Sequence, residues 1–149
     1  MAGERMKKER DFFLNLLGDN NDAMLKKAGE TIVNVGQPGD LTYLLKSGTA
    51  RIELFGGRHV VEVGPGDFIG LMGSIDGRDY EDTTVAVTDC ELIPIDHKRA
   101  EYLFREHPTF GFHIMKVIID RFYYVMGLLK DYCEEADALA AKSLFGKSV

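Results

Sequence analysis

Between Asp76 and Asp82 the chain crowds Arg78 and Tyr80 among four carboxylates, Asp76, Asp79, Glu81 and Asp82. Paired carboxylates do acid–base work when their environments hold one neutral and one ionised beside a nucleophile or a histidine. Asp67, Glu81 and Asp82 have neither companion in sequence, so no enzyme is read from them. Arg78 could clamp an anion with its guanidinium fork. It sits in an Asp-Gly-Arg-Asp turn, where the plainer expectation is a solvated side chain paired with Asp76 or Asp79. The four histidines, His59, His97, His107 and His113, include no pair at the i, i+4 spacing of a helical metal site. Cys90 and Cys133 form no CxxC and read as packing cysteines of a reducing compartment. The chemistry left is binding.

Composition sets the class of protein that must position these groups. A chain of 149 residues, 45% hydrophobic and 28% charged, is long enough for one core and too apolar to be wholly disordered. The net charge of -6 argues against a protein built to grip nucleic-acid phosphates, which needs a clustered basic surface. No signal-peptide core and no apolar run of membrane-spanning length occurs. A soluble cytoplasmic protein is the expectation, with no direct nucleic-acid or membrane binding. Of the 16 glycines, 11 lie between Gly29 and Gly77, so that third of the chain turns often.

Phe13, Leu16 and Leu17 have helical spacing and run into Gly18-Asp19-Asn20-Asn21, which predicts a short helix and turn over 9–22. From residue 23 to 96 the pattern becomes short apolar runs separated by Gly36-Gln-Pro-Gly-Asp, Lys46-Ser-Gly, Gly56-Gly57 and Gly64-Pro-Gly-Asp. Such runs predict an antiparallel sandwich, jelly roll or barrel. Gly56-Gly57 predicts a tight hairpin with a primed turn. Helical spacing returns after Pro94, broken at His107-Pro108 into a short helix over 97–107 and a long one over 108–140, with a tail at 141–149. In the long helix Met115, Ile118, Phe122, Val125, Leu129, Tyr132, Ala136 and Leu139 make a heptad seam, and Ile114, Val117, Tyr124 and Leu128 a second stripe. Two apolar stripes on one helix predict two partners, the β domain and a second copy of the chain; the alternative is one intramolecular core for both.

The order of elements and their turn residues resembles a known family. Gly29-Glu30-Thr-Ile32, Gly36-Gln-Pro38-Gly39-Asp40-Leu-Thr-Tyr43-Leu-Leu-Lys-Ser47-Gly48, Gly66-Asp67-Phe68-Ile69-Gly70 and Thr88-Asp89-Cys90-Glu91-Leu92 are similar to the cyclic-nucleotide-binding domain of catabolite-activator and Fnr regulators. The resemblance covers roughly Phe13 to Leu129. It implies a mainly β fold of one domain, 1–149: an eight-stranded antiparallel jelly roll with a short N-terminal helix and a long C-terminal dimerisation helix. It also implies a phosphate-binding cassette, here 68–85, in which a glutamate meets a ribose hydroxyl, a short helix faces the phosphate and an arginine pairs with it.

Aligned on Thr88-Asp89-Cys90, the cassette has Leu71 at the glutamate position and Tyr80 at the arginine position. Carboxylates beside a phosphate site reverse the sign its electrostatics require. The sequence therefore implies a non-catalytic, dimeric sensor or regulatory module that binds cyclic nucleotides weakly or not at all. Its divergent pocket would involve Phe68, Gly70, Leu71, Met72, Gly73, Arg78, Tyr80, Glu81, Thr83 and Tyr124. Gly70 to Gly73 would form the short helix, Arg78 and Tyr80 the rim, and Tyr124 a lid. The apolar Leu71 suits an uncharged, aromatic or hydrophobic small molecule. The dimer would form through Met115, Ile118, Phe122, Val125, Leu129 and Tyr132. Three alternatives remain: a module that has lost its ligand and docks a protein partner, a cyclic-nucleotide binder using Arg78, and a haem sensor. No cofactor is assigned. Too few residues follow the seam for a helix-turn-helix in this chain.

Overall fold

A computed structural model describes residues 2–18 and 22–134; the turn expected at 19–21, the seam positions Ala136 and Leu139, and the tail lie outside the described residues. The chain divides into two compact units, 1–110 and 111–149.

The first helix, α1 (Ala2–Gly18), buries Phe13 and Leu17, one turn apart, and carries an Arg5–Glu9 ion pair at 3.1 Å on its outer side. It begins seven residues before the expected Glu9. The added turns, rich in Glu, Arg, Lys and Met, show no apolar period but are made of good helix formers.

Eight strands follow: β1 (Met24–Lys26), β2 (Thr31–Val33), β3 (Thr42–Ser47), β4 (Ala50–Leu54), β5 (His59–Val63), β6 (Phe68–Ile69), β7 (Thr83–Ala86) and β8 (Cys90–Ile95). They form two four-stranded antiparallel sheets in the orders β1-β8-β3-β6 and β2-β7-β4-β5. This is the expected eight-stranded jelly roll. Its interior holds Ile32, Val33, Tyr43, Leu45, Ala50, Val63, Ile69, Ala86, Cys90 and Leu92. Each such side chain contributes roughly 1.5–3 kcal/mol of burial when it is as large as Val or Leu. The β4–β5 hairpin pairs Leu54 with His59, so its loop has four residues rather than two. Phe55, Gly56 and Gly57 all take positive φ, which is the reason two glycines alone did not predict the turn length.

A single-turn helix, α2 (Gly73–Asp76), joins β6 to β7 and ends on Gly77 in the left-handed conformation. It lies three residues beyond the expected Gly70 to Gly73, because Gly70 has a φ of 68° and cannot start a right-handed turn. After β8, α3 (His97–Glu106) starts with the Asp96 side chain accepting from the Arg99 amide at 2.8 Å. The last helix, α4 (Pro108–Cys133), opens inside the first unit, where Phe110 meets Phe13, Phe104 and Phe68 at ring-centroid distances of 5.0, 5.5 and 6.2 Å. Within the second unit α4 leaves Phe112, Met115, Ile119, Phe122, Tyr123, Tyr124, Val125 and Tyr132 exposed. No described helix is long and apolar enough to cross a membrane.

Candidate functional site

The stretch from Phe68 to Thr83 and the loop from Gly36 to Leu41 fold onto each other. Gly36 donates its amide to the Tyr80 carbonyl at 2.8 Å, and Tyr80 returns its amide to the Gln37 carbonyl at 2.9 Å. Gly39 and Gly73 cross so closely that a Cβ on Gly73 would fall on the Gly39 carbonyl, and one on Gly39 would fall on the Arg78 carbonyl. Only glycine allows two backbones this contact. The sequence signalled the loop by Gly36, Pro38 and Gly39 but gave no sign of what it would touch.

Tyr80 is the pin of the crossing. Its hydroxyl donates to the Leu41 carbonyl at 2.6 Å, and its ring stands against Gly70, where an added Cβ would come within 2.6 Å of Cε1. Beneath it the Thr42 hydroxyl donates to the Gly70 carbonyl at 3.0 Å. Burial raises the Tyr80 pKa, helped by the neighbouring Tyr43 and by Asp40, while the hydrogen bond to Leu41 works in the other direction. Tyr43, 9% exposed, projects into the same interior, with its pKa also raised by burial. Its hydroxyl has no hydrogen-bond partner among the described residues. Tyr43 was not singled out from the sequence, since a tyrosine in an apolar strand reads there as core.

The residues expected at the site separate into four groups. Phe68 and Leu71 are buried, Phe68 within the aromatic cluster. Gly70, Gly73, Tyr80 and Thr83 belong to the crossing, Thr83 by accepting the Val35 amide at 3.2 Å. Met72, Arg78 and Glu81 are exposed. The Arg78 guanidinium is held by Asp76, with Nε to Oδ2 at 2.6 Å. Tyr124 belongs to the second unit and is 47% exposed. Asp67 closes a turn by accepting the Gly64 amide at 2.8 Å. No cluster of three His, Cys, Asp or Glu that could hold a metal occurs among the described residues.

Comparison with known proteins settles the family. The sequence profile of the family described as Cyclic nucleotide-binding domain matches residues 25–107, more than half of the chain. The chain belongs to this family. Among solved structures, the cyclic nucleotide-binding fold is similar to the catabolite activator protein of Thermus thermophilus, with a TM-score of 0.67 and 24% identity. That match covers 83% of this chain and 58% of the other, so the chain spans less than two thirds of that relative. A structure of PKAR CBD2 with Sp-2Cl-cAMPS bound matches at a TM-score of 0.60 and 19% identity, covering 83% of this chain and 93% of the other. A cyclic nucleotide-binding-like protein from Brucella abortus shares 26% identity at a TM-score of 0.50, over 61% of this chain and 81% of the other. No curated protein matches. The crossing of residues 68–83 with the 36–41 loop lies within the matched stretch of this cyclic nucleotide-binding domain.

Proposed function

We propose that the protein is a non-catalytic regulatory module of the cyclic nucleotide-binding family that senses a ligand other than a cyclic nucleotide. The single observation that carries this reading is Tyr80. At the position where the family resemblance puts an arginine for the phosphate, a neutral phenol is engaged with the Leu41 carbonyl at 2.6 Å. Leu71, at the glutamate position, is buried and offers no acceptor to a ribose. Arg78 does not replace the missing cation, since its guanidinium is paired with Asp76 and its side chain is 68% exposed. An anion arriving here would face Asp79 and Glu81, both exposed, without a positive partner. The outer face of α4 supports pairing with a second copy of the chain, and the two free cysteines suit a cytoplasmic setting.

Isothermal titration with cyclic AMP and cyclic GMP tests the reading. Losing an arginine–phosphate contact costs on the order of 2–5 kcal/mol, so affinity should be about thirtyfold or more below the micromolar range. Low-micromolar binding of either nucleotide overturns the proposal.

A further inference from the structure

In the sheet ordered β2-β7-β4-β5, the last strand is joined to β4 alone, so its other edge presents backbone donors and acceptors with no strand beside them. The five residues of β5 pair one to one with β4, without a bulge to twist that edge away. Neither Lys nor Pro interrupts them. Side chains alternate along the strand: Val61 is half-buried and Val63 buried, while Val60, 54% exposed, and Glu62 face outward. Arg58, two residues before Val60, closes the hairpin loop and is exposed as well. The cross-strand neighbour of Glu62 is Arg51, but Arg51 is paired with Glu53 at 3.3 Å. Among the described residues neither Arg58 nor Glu62 makes an ion pair. A free cation and a free carboxylate thus flank an exposed valine at equal spacing.

Charges on an open edge ordinarily keep copies apart, because like meets like across it. Opposite charges placed evenly about one residue do the reverse. When two such strands run antiparallel about a two-fold at Val60, each Arg58 faces the partner's Glu62, and the two valines meet between them. Centring the pair on Val61 instead would set Val60 against the partner's Glu62 and Arg58 against the partner's Gly64. Any shift between these two turns inward side chains outward. We propose that β5 is a docking edge for a second copy of this chain, the strands pairing antiparallel about Val60 so that two four-stranded sheets join into one. The contact uses no residue of α4. Two five-residue strands bury far less than a standard interface, too little to hold copies together at micromolar concentration.

Covalent trapping reads a contact of this strength. Val60→Cys is made in the full chain together with Cys133→Ser, which leaves only the buried Cys90 besides it, and is treated with oxidised glutathione and run on a non-reducing gel. Residues directly opposed across an antiparallel pair lie within disulfide reach. Val60→Cys should therefore give a covalent dimer about tenfold faster than Glu62→Cys, whose thiol would face the partner's Arg58. Adding Arg58→Glu to Val60→Cys sets like charges opposite one another and should slow trapping about tenfold, and adding Glu62→Arg as well should restore it. The proposal is overturned if Val60→Cys does not cross-link, if Glu62→Cys cross-links as fast, if Arg58→Glu changes nothing, or if the charge swap fails to restore the rate. The substituted positions 58, 60 and 62 are exposed, so each variant should melt with the wild type; cross-linking seen only in variants that have lost cooperative unfolding also overturns it.

Discussion

The crossing of the cassette with the 36–41 loop and the outer face of α4 are opposite kinds of surface. In the crossing, backbone meets backbone, the donors and acceptors of Tyr80 are satisfied at 2.6 to 2.9 Å, and two glycines leave no space between them. On α4, Phe112, Met115, Phe122, Tyr123 and Tyr132 are each more than half exposed. The first region is complete within one chain. The second carries more apolar surface than a lone helix leaves in water. The difference teaches that one stretch of backbone is tied down by contacts within the chain, while the α4 face leaves its apolar side chains exposed.

The sharpest way to break the comparison is at the crossing itself. Gly73→Ala sets a methyl group on the Gly39 carbonyl, and backbone on both sides must move. Overpacking of this kind should cost roughly 3 kcal/mol and lower the melting temperature by about 10 °C in a chain of this size. A melting temperature within about 2 °C of the wild type would show that the crossing is loose and the contrast with α4 overstated.

Phe122→Asp probes the other region. Light scattering of the wild type should give about twice 16.7 kDa, and the variant 16.7 kDa, with little change in cooperative unfolding because Phe122 is 56% exposed. A monomeric wild type at tens of micromolar removes the pairing of copies. Of the six seam positions within the described residues, Met115, Phe122, Val125 and Tyr132 are exposed, and Ile118 and Leu129 are half-buried. The second stripe is mixed, with Ile114 buried and Tyr124 exposed.

What was legible in the sequence follows from how local each signal is. The roll could be read because each turn announces itself through glycines at corners such as Gly48 and Gly66, and each strand through a short apolar run. His107-Pro108 marked the boundary between α3 and α4 by a proline rule that acts within a turn of chain, whereas the Asp96 cap of α3 was not read. The candidate site was legible only as a list of departures, Leu71 and Tyr80 among them. Its geometry depends on contacts between residues 39 positions apart, as in Tyr80 to Leu41, and no local rule carries these.

The smallest expected effect is the most specific to the pin. Tyr80→Phe keeps the ring against Gly70 and removes only the donor to Leu41, leaving a carbonyl in a half-buried setting, so about 1 kcal/mol of stability should be lost. Its signature is in alkaline solution. The Tyr80 pKa is raised in the fold from an ordinary value of 10.0, chiefly by burial, so the folded chain holds its proton after the unfolded chain has released it. Stability is thus fully present below pH 10 from this group and is lost as pH rises through the folded pKa. Tyr43 behaves alike, and Cys90, raised from 9.0 by burial first, begins the decline earlier. In Tyr80→Phe the loss of stability above pH 10 should be shallower than in the wild type, by up to one proton in the slope. Equal slopes in denaturant titrations at pH 9 and pH 11 would mean that the phenol meets water in the folded state, and the crossing would then be an open surface like that of α4.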